Sequence, residues 1–354
     1  MKRPYRSLIK LSAAVRKGPL STALAFQRLA LGPKPKSKRA RAPAKPANLR
    51  SLKPGKLRRP APGSFVDGRF SGADGSLDYK LYTPVGSARR RLPLVVMLHG
   101  CTQSAGDFAA GTGMNAVADE QGFLVLYPQQ SPSANFGRCW NWHRPGDQKR
   151  GAGEPAAIAD LTRHVIALGK ANPARVYIVG LSAGGAAAAI IGAAYPELYV
   201  AVGVHSGVAK GEIATLREAM SAMRSGASPA ARGGRMAVAP LPTIVFHGDQ
   251  DSVVHPANAA GFLLHLQHSS PLPLLSRAEK GRSAGGRSFT RTLYRHGPSE
   301  VLLEDWTVHG AGHGWSGGRP SGSYTDPAGP NASREMVRFF LARRRSVKAA
   351  KGAA

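Results

Sequence analysis

RVYIVGLSAGGAAAAIIGAAYP, residues 175–196, changes character within a few residues. The run RVYIVG (175–180) is β-branched and aromatic, the pattern of a short strand buried on both faces. The alanine-rich run AAAAIIGAAYP (186–196) reads as a helix that stops at Pro196. Between them lies Gly180-Leu181-Ser182-Ala183-Gly184-Gly185. A strand that turns this sharply into a helix holds its apex residue in a strained backbone, and only small neighbours fit around it. In a chain with 42 glycines a G-x-S-x-G match is weak alone. The strand before it and the helix after it give it meaning.

The same alternation extends in both directions. Strands are expected at 78–84, 93–100, 123–128, 199–204, 242–247 and 301–308. Helices are expected at 106–121, 156–170 and 330–345. Strands alternating with helices predict an α/β fold: one mostly parallel, doubly wound sheet in a single domain over residues 64–345. Hydrophobic residues make up 42% of the 354, ordinary for a packed core. No internal repeat is evident. No run of 18 apolar residues occurs, so no transmembrane helix is expected.

The charge is uneven. Lys and Arg outnumber Asp and Glu by 49 to 20, a formal +29 with a pI near 11.0. Residues 1–60 contain 18 basic residues and no acid, leaving 31 basic against 20 acidic residues elsewhere. Residues 1–63 are therefore expected to be a basic leader and linker. They comprise a short amphipathic helix within 1–31 and a disordered Pro/Ala-rich stretch from 32 onward. Residues 346–354 are expected to be a disordered basic tail. The leader makes a poor secretory signal, because Arg16, Lys17 and Arg28 interrupt its apolar stretches. Such a concentration of positive charge would attract nucleic acid, anionic lipid or an acidic surface.

A serine hydroxyl needs a base, an acid to orient that base, and donors for a developing oxyanion. All are available in order. PTIVFHGDQDSVVHP (242–256) is a strand ending in Asp249 and Asp251. Strand ends at the carboxyl edge are where such sheets place active residues. Asp251 is favoured as the orienting acid, with Asp249 capping or bracing the loop. LLEDWTVHGAGHGWSGG (302–318) offers His309 at a strand end and His313 in a glycine-flanked loop, and His313 is the better-placed base. Backbone N–H groups of Ala183 and of Cys101, in LHGCTQ (98–103), would form the oxyanion hole. The order Ser182, Asp251, His313 is that of an α/β-hydrolase.

LHGCTQ (98–103), LVLYPQQ (124–130), CWNW (139–142), VYIVGLSAGGAAAA (176–189), HGDQDSVVHP (247–256) and GHGW (312–315) together resemble the poly(3-hydroxybutyrate) depolymerase family, relatives of feruloyl and acetylxylan esterases. The resemblance spans residues 64–345. It implies a serine esterase with Ser182, Asp251 and His313 as catalytic triad and no metal or cofactor. Its expected substrates are hydroxyalkanoate polymers or oligomers, or acyl esters on a polysaccharide. It implies a Cys101–Cys139 disulfide, and it makes Gln103, Trp140 and Trp142 candidates for the substrate cleft; the tryptophans' alternative is core packing. His143 after CWNW departs from the aromatic residue common there. A disulfide and the family's habits favour an extracellular or periplasmic enzyme, whereas the leader does not. Two competing readings are a serine peptidase of the same fold and a surface- or nucleic-acid-binding protein acting through the basic leader.

Overall fold

The computed structural model of the chain describes residues 63–86, 91–209, 215–226, 240–269, 272–298 and 300–345. The expected leader, linker and C-terminal tail lie outside the described residues.

A ten-stranded sheet runs through the described residues in the order β1-β2-β4-β3-β5-β6-β7-β10-β9-β8. Its strands are β1 (Ser64–Gly72), β2 (Gly75–Thr83), β3 (Leu92–Leu98), β4 (Leu124–Gln129), β5 (Ala171–Leu181), β6 (Ala201–His205), β7 (Thr243–Gly248), β8 (Leu275–Arg282), β9 (Ser288–Arg295) and β10 (Val301–Val308). The six central strands, β4 through β10 in sheet order, are parallel. Both flanks are antiparallel: β1 and β2 on one side, β9 and β8 on the other. These flanking strands are charged and partly exposed, as edge strands that avoid further pairing tend to be.

Helices cover both faces. One face buries α3 (Gly153–Ala167), α4 (Ala183–Ala194), α5 (Leu216–Ser225) and α6 (Ala257–Ser269) against Val96, Ile178, Val204, Val245 and Leu303. The other packs α1 (Ala105–Thr112), α2 (Met114–Gln121) and α7 (Ala332–Leu341) against Val95, Val125, Val179 and Phe246. Burial of one face in each layer supplies the apolar area that stabilises the fold. A short pair, β11 (Trp315–Ser316) and β12 (Thr325–Asp326), lies beyond β10.

The single helix expected over 106–121 is two. Gly113, at φ 62°, ends α1 and starts α2, because a left-handed residue cannot continue an α-helix. Strands β1, β8 and β9 and helices α5 and α6 had no counterpart in the sequence pattern. The strand expected at 301–308 matches β10 at both ends.

The β5–α4 junction depends on two glycines. A Cβ on Gly184 would sit 2.2 Å from the Leu98 carbonyl oxygen, and one on Gly180 would sit 2.2 Å from the Gly184 carbonyl. Helix α4 therefore lies closer to β3 and β5 than any side chain would allow. A second constraint is covalent. The Cys101–Cys139 disulfide joins the loop after β3 to the segment after β4 across 38 residues. In the chain-entropy account a loop of that length is worth about 4 kcal/mol.

Two stability outcomes follow. Gly184→Ala forces backbone apart rather than a flexible side chain, and it should cost about 3 kcal/mol or more in urea unfolding. The Cys101→Ser/Cys139→Ser double variant should lose about 2–4 kcal/mol by the same measurement.

Candidate active site

Ser182 sits at the apex between β5 and α4 with φ 58° and ψ −120°. For a residue with a Cβ this is a strained conformation, and it persists because its surroundings fix it. The Ser182 N–H donates to the His205 carbonyl at 2.9 Å, and the Ser182 carbonyl accepts from the Ala186 N–H at 3.0 Å. Its hydroxyl does not cap the helix. It is half-buried and bonds to no other side chain among the described residues.

Asp251 follows β7, two strands away in the sheet. Its Oδ1 accepts the N–H groups of Val253 and Val254, both at 2.9 Å. Its Oδ2 lies 2.7 Å from His313 Nδ1. The Asp251 side chain is 0% exposed and that of His313 is 9%. Burial alone would raise the Asp251 carboxyl, but hydrogen bonds from His247, His313 and the Val254 N–H, with the charge of His313, hold it well below the usual carboxylate range. The charged carboxylate fixes the imidazole with Nδ1 protonated, leaving Nε2 free to take a proton.

The loop carrying His313 is seated from three sides. Gly248 lies so close to it that a Cβ there would meet the Ala311 carbonyl oxygen at 2.3 Å. The Ser316 N–H donates to His205 Nε2 at 2.9 Å. Trp315 is buried, stacks on His205 with centroids 5.1 Å apart, and donates from Nε1 to Ser333 Oγ. Burial pushes the His205 imidazole down to about 3, with the nearby His247 and His313 adding to the effect, so it serves as a neutral acceptor.

The two alternatives weighed in the sequence pair with each other instead. His309 Nδ1 lies 2.9 Å from Asp249 Oδ2, and its Nε2 lies 2.8 Å from Thr290 Oγ1 on β9. Both ring nitrogens are thus engaged toward the sheet flank. The Gly310 N–H also bonds Asp249.

The loop after β3 is tied at almost every residue except where a donor would be needed. Gln130 N–H donates to His99 Nε2 at 3.1 Å, and Trp140 Nε1 donates to the His99 carbonyl at 3.1 Å. The Gly100 N–H bonds Gln103 Oε1, and the Thr102 N–H bonds the Gly137 carbonyl at 2.7 Å. Thr102 takes a positive φ of 65°. The N–H groups of Cys101 and Ala183 have no acceptor among the described residues.

The cleft candidates divide. Gln103 is buried with its amide committed to Gly100, Asp107 and Ser323. Trp140 is fully buried against His99. Trp142 is 8% exposed and meets His143 edge-on. The CWNW segment hangs on Glu154, whose carboxylate accepts the Asn141 N–H at 2.7 Å and the Asn141 amide at 2.6 Å, and bonds Gln130 as well. Sequence reasoning missed Glu154, His205 and His247. Only the strand-end positions of the two histidines signalled them. A separate cleft between α4 and α6, lined by Gly192, Thr243, Phe262 and Leu303, opens at the opposite end of these strands.

Residues 77–269 match the family model described as esterase PHB depolymerase. The chain is 32% identical over 254 residues to poly(3-hydroxyalkanoate) depolymerase C of Paucimonas lemoignei, covering 69% of this chain and 60% of that protein. The chain thus spans about 60% of the length of that relative. It is 34% identical over 132 residues to feruloyl esterase B of Neurospora crassa, covering 37% of this chain and 44% of the relative. Among solved structures, an acetyl xylan esterase from Aspergillus awamori superposes with a TM-score of 0.58 at 20% identity, covering 78% of this chain and 99% of that one. At that identity the likeness concerns the fold alone, which is that of the α/β-hydrolases. With more than half of its length inside the family model, the chain belongs to the esterase PHB depolymerase family.

Proposed function

We propose that the protein is a serine esterase that cleaves carboxylic esters through an acyl-enzyme on Ser182. The observation that carries this reading is the pairing of His313 with the buried Asp251 at 2.7 Å, at the same carboxyl edge of the sheet as Ser182. Ser182 Oγ attacks the ester carbonyl while His313 Nε2 takes its proton. The Cys101 and Ala183 N–H groups receive the oxyanion; as backbone donors held by the fold they need no reorganisation as charge develops. The N-terminus of α4 adds its partial positive charge at the same place. His313 then protonates the leaving alcohol, and water repeats the sequence to release the acid.

Polyhydroxyalkanoate esters, polymeric or oligomeric, are the proposed substrates, supported by the family and by the likeness to a depolymerase from Paucimonas lemoignei. Acylated polysaccharides are the second reading, supported by the feruloyl and acetylxylan esterases among the relatives. The disulfide supports export to an oxidising compartment, where such bonds persist.

On p-nitrophenyl butyrate, Ser182→Ala and His313→Ala should each lower kcat/KM by about 10³-fold or more, and His309→Ala by less than about threefold. Full activity in Ser182→Ala overturns the mechanism. A panel of hydroxybutyrate oligomers, acetylated xylan and methyl ferulate separates the two substrate readings.

The pH dependence has a defined sign. A carboxyl depressed by folding adds stability above its unfolded value, near 3.8, and loses it as pH falls through the lower folded value. Asp251 therefore stays charged through the weakly acidic range. The acid limb of kcat/KM should therefore contain no ionisation from Asp251 in the weakly acidic range, and a fit that requires one contradicts this.

A further inference from the structure

His247, on β7, is buried directly behind the proposed acid. Its Nε2 lies 2.8 Å from the Val254 carbonyl oxygen and 3.5 Å from Asp251 Oδ2. A carbonyl can only accept, so Nε2 carries a proton, and in the imidazole with a single N–H this leaves Nδ1 as an acceptor. That Nδ1 is buried without a partner among the described residues. On the adjacent strand β10, the Oδ1 atom of the partly exposed Asp305 is also buried without a partner among the described residues. Register pairs Asp305 with Val245 and Thr307 with His247, so Asp305 and His247 lie on the same face of neighbouring strands, two positions apart.

An orphaned acceptor and an orphaned carboxyl oxygen each carry a desolvation cost of about 1–3 kcal/mol. One proton between them relieves both. Burial pushes the Asp305 carboxyl up to about 6, toward the form that has a proton to donate. The ionisable groups coupled to it are His247 and, on β9, Tyr294.

We propose that Asp305 and His247 share a buried proton, through one bridging water, and that this pair is a positioning support for Asp251. The proton on the Nδ1 side keeps the Nε2–H pointed at the Val254 carbonyl and Asp251 Oδ2. Asp251 Oδ2 is then held between two imidazoles, His247 from the core and His313 from the solvent side. The carboxylate cannot swing away from His313 without breaking this arrangement. Asp305 and His247 touch no substrate in this scheme; they act through Asp251. The inference rests on Asp251 being the triad acid.

The test uses the full-length chain with Asp305→Leu, Asp305→Asn, His247→Asn and Asp251→Asn, assayed on p-nitrophenyl butyrate with thermal unfolding alongside. Replacing an orphaned carboxyl in an apolar layer by leucine should leave Tm unchanged or higher. Asp305→Leu should lower kcat about tenfold with KM within about twofold, because the acid is misplaced rather than the substrate. Asp305→Asn, whose amide donates to the same acceptor, should restore kcat to within about threefold of the wild type. Should Asp305→Leu fail to fold, His247→Asn reads the same loss of kcat at constant KM. Wild-type kcat in a folded Asp305→Leu or His247→Asn protein overturns the proposal. So does an Asp305→Asn protein as impaired as Asp305→Leu. An active Asp251→Asn protein overturns the catalytic assignment itself, whereas an inactive one beside an indifferent Asp305→Leu overturns only the support.

Discussion

The backbone of Ser182 is held at a positive φ, and the rest of the site is arranged around that constraint. A serine does not adopt this conformation unaided. It is forced by the passage of β5 into α4 over the bare backbone of Gly180 and Gly184, with the helix pressed to the Leu98 carbonyl. The same closeness sets the spacing between the helix N-terminus and the loop after β3. Two backbone donors from different elements, Cys101 and Ala183, are thereby left without acceptors among the described residues. A substituent on either glycine would separate the elements that position them.

Asp251 and His313 are governed by a different requirement, the accommodation of charge in a buried place. Asp251 is fully enclosed, and a carboxylate there persists only with donors on both oxygens. The backbone N–H groups of Val253 and Val254 satisfy one oxygen, and imidazoles surround the other. His205 is handled in the opposite way: it is kept neutral and used as an acceptor for the Ser316 N–H. One histidine thus seats the loop that carries another.

The sequence was most legible where strands are buried on both faces. β3, β4 and β7 and the RVYIVG part of β5 read as mainly apolar runs because both of their faces are covered. The flanks were not legible. LSRAEKGR of β8 carries charge at solvent-facing positions and has no clear period. Helix α5 did carry a signal, the Thr215–Glu218 capping box, but only Ala219 and Ala222 of it are buried, so its apolar face is slight. Gly113 breaks a pattern that otherwise continues through residue 121. At the site, Ser182, Asp251 and His313 were legible as an order. The partition into Asp251–His313 and Asp249–His309 was not forced by it, because the two pairs have nearly the same separation in the chain. Only the path of the 310–316 loop over Gly248 separates them. His247 and Asp305 look like ordinary interruptions of apolar strands, and their proximity exists only through the register of β7 with β10.

The covalent tie between Cys101 and Cys139 also changes how the protein can fail. Loops beside active sites usually open locally, at much lower cost than the whole fold. Here the loop after β3 is fastened to the CWNW segment by a bond. That segment is fastened in turn to α3 through Glu154 and to β4 through Gln130. Fraying of this loop therefore carries the CWNW segment with it. Opening of this loop on heating becomes coupled to opening of the segments it is tied to, and so to the barrier for cooperative unfolding.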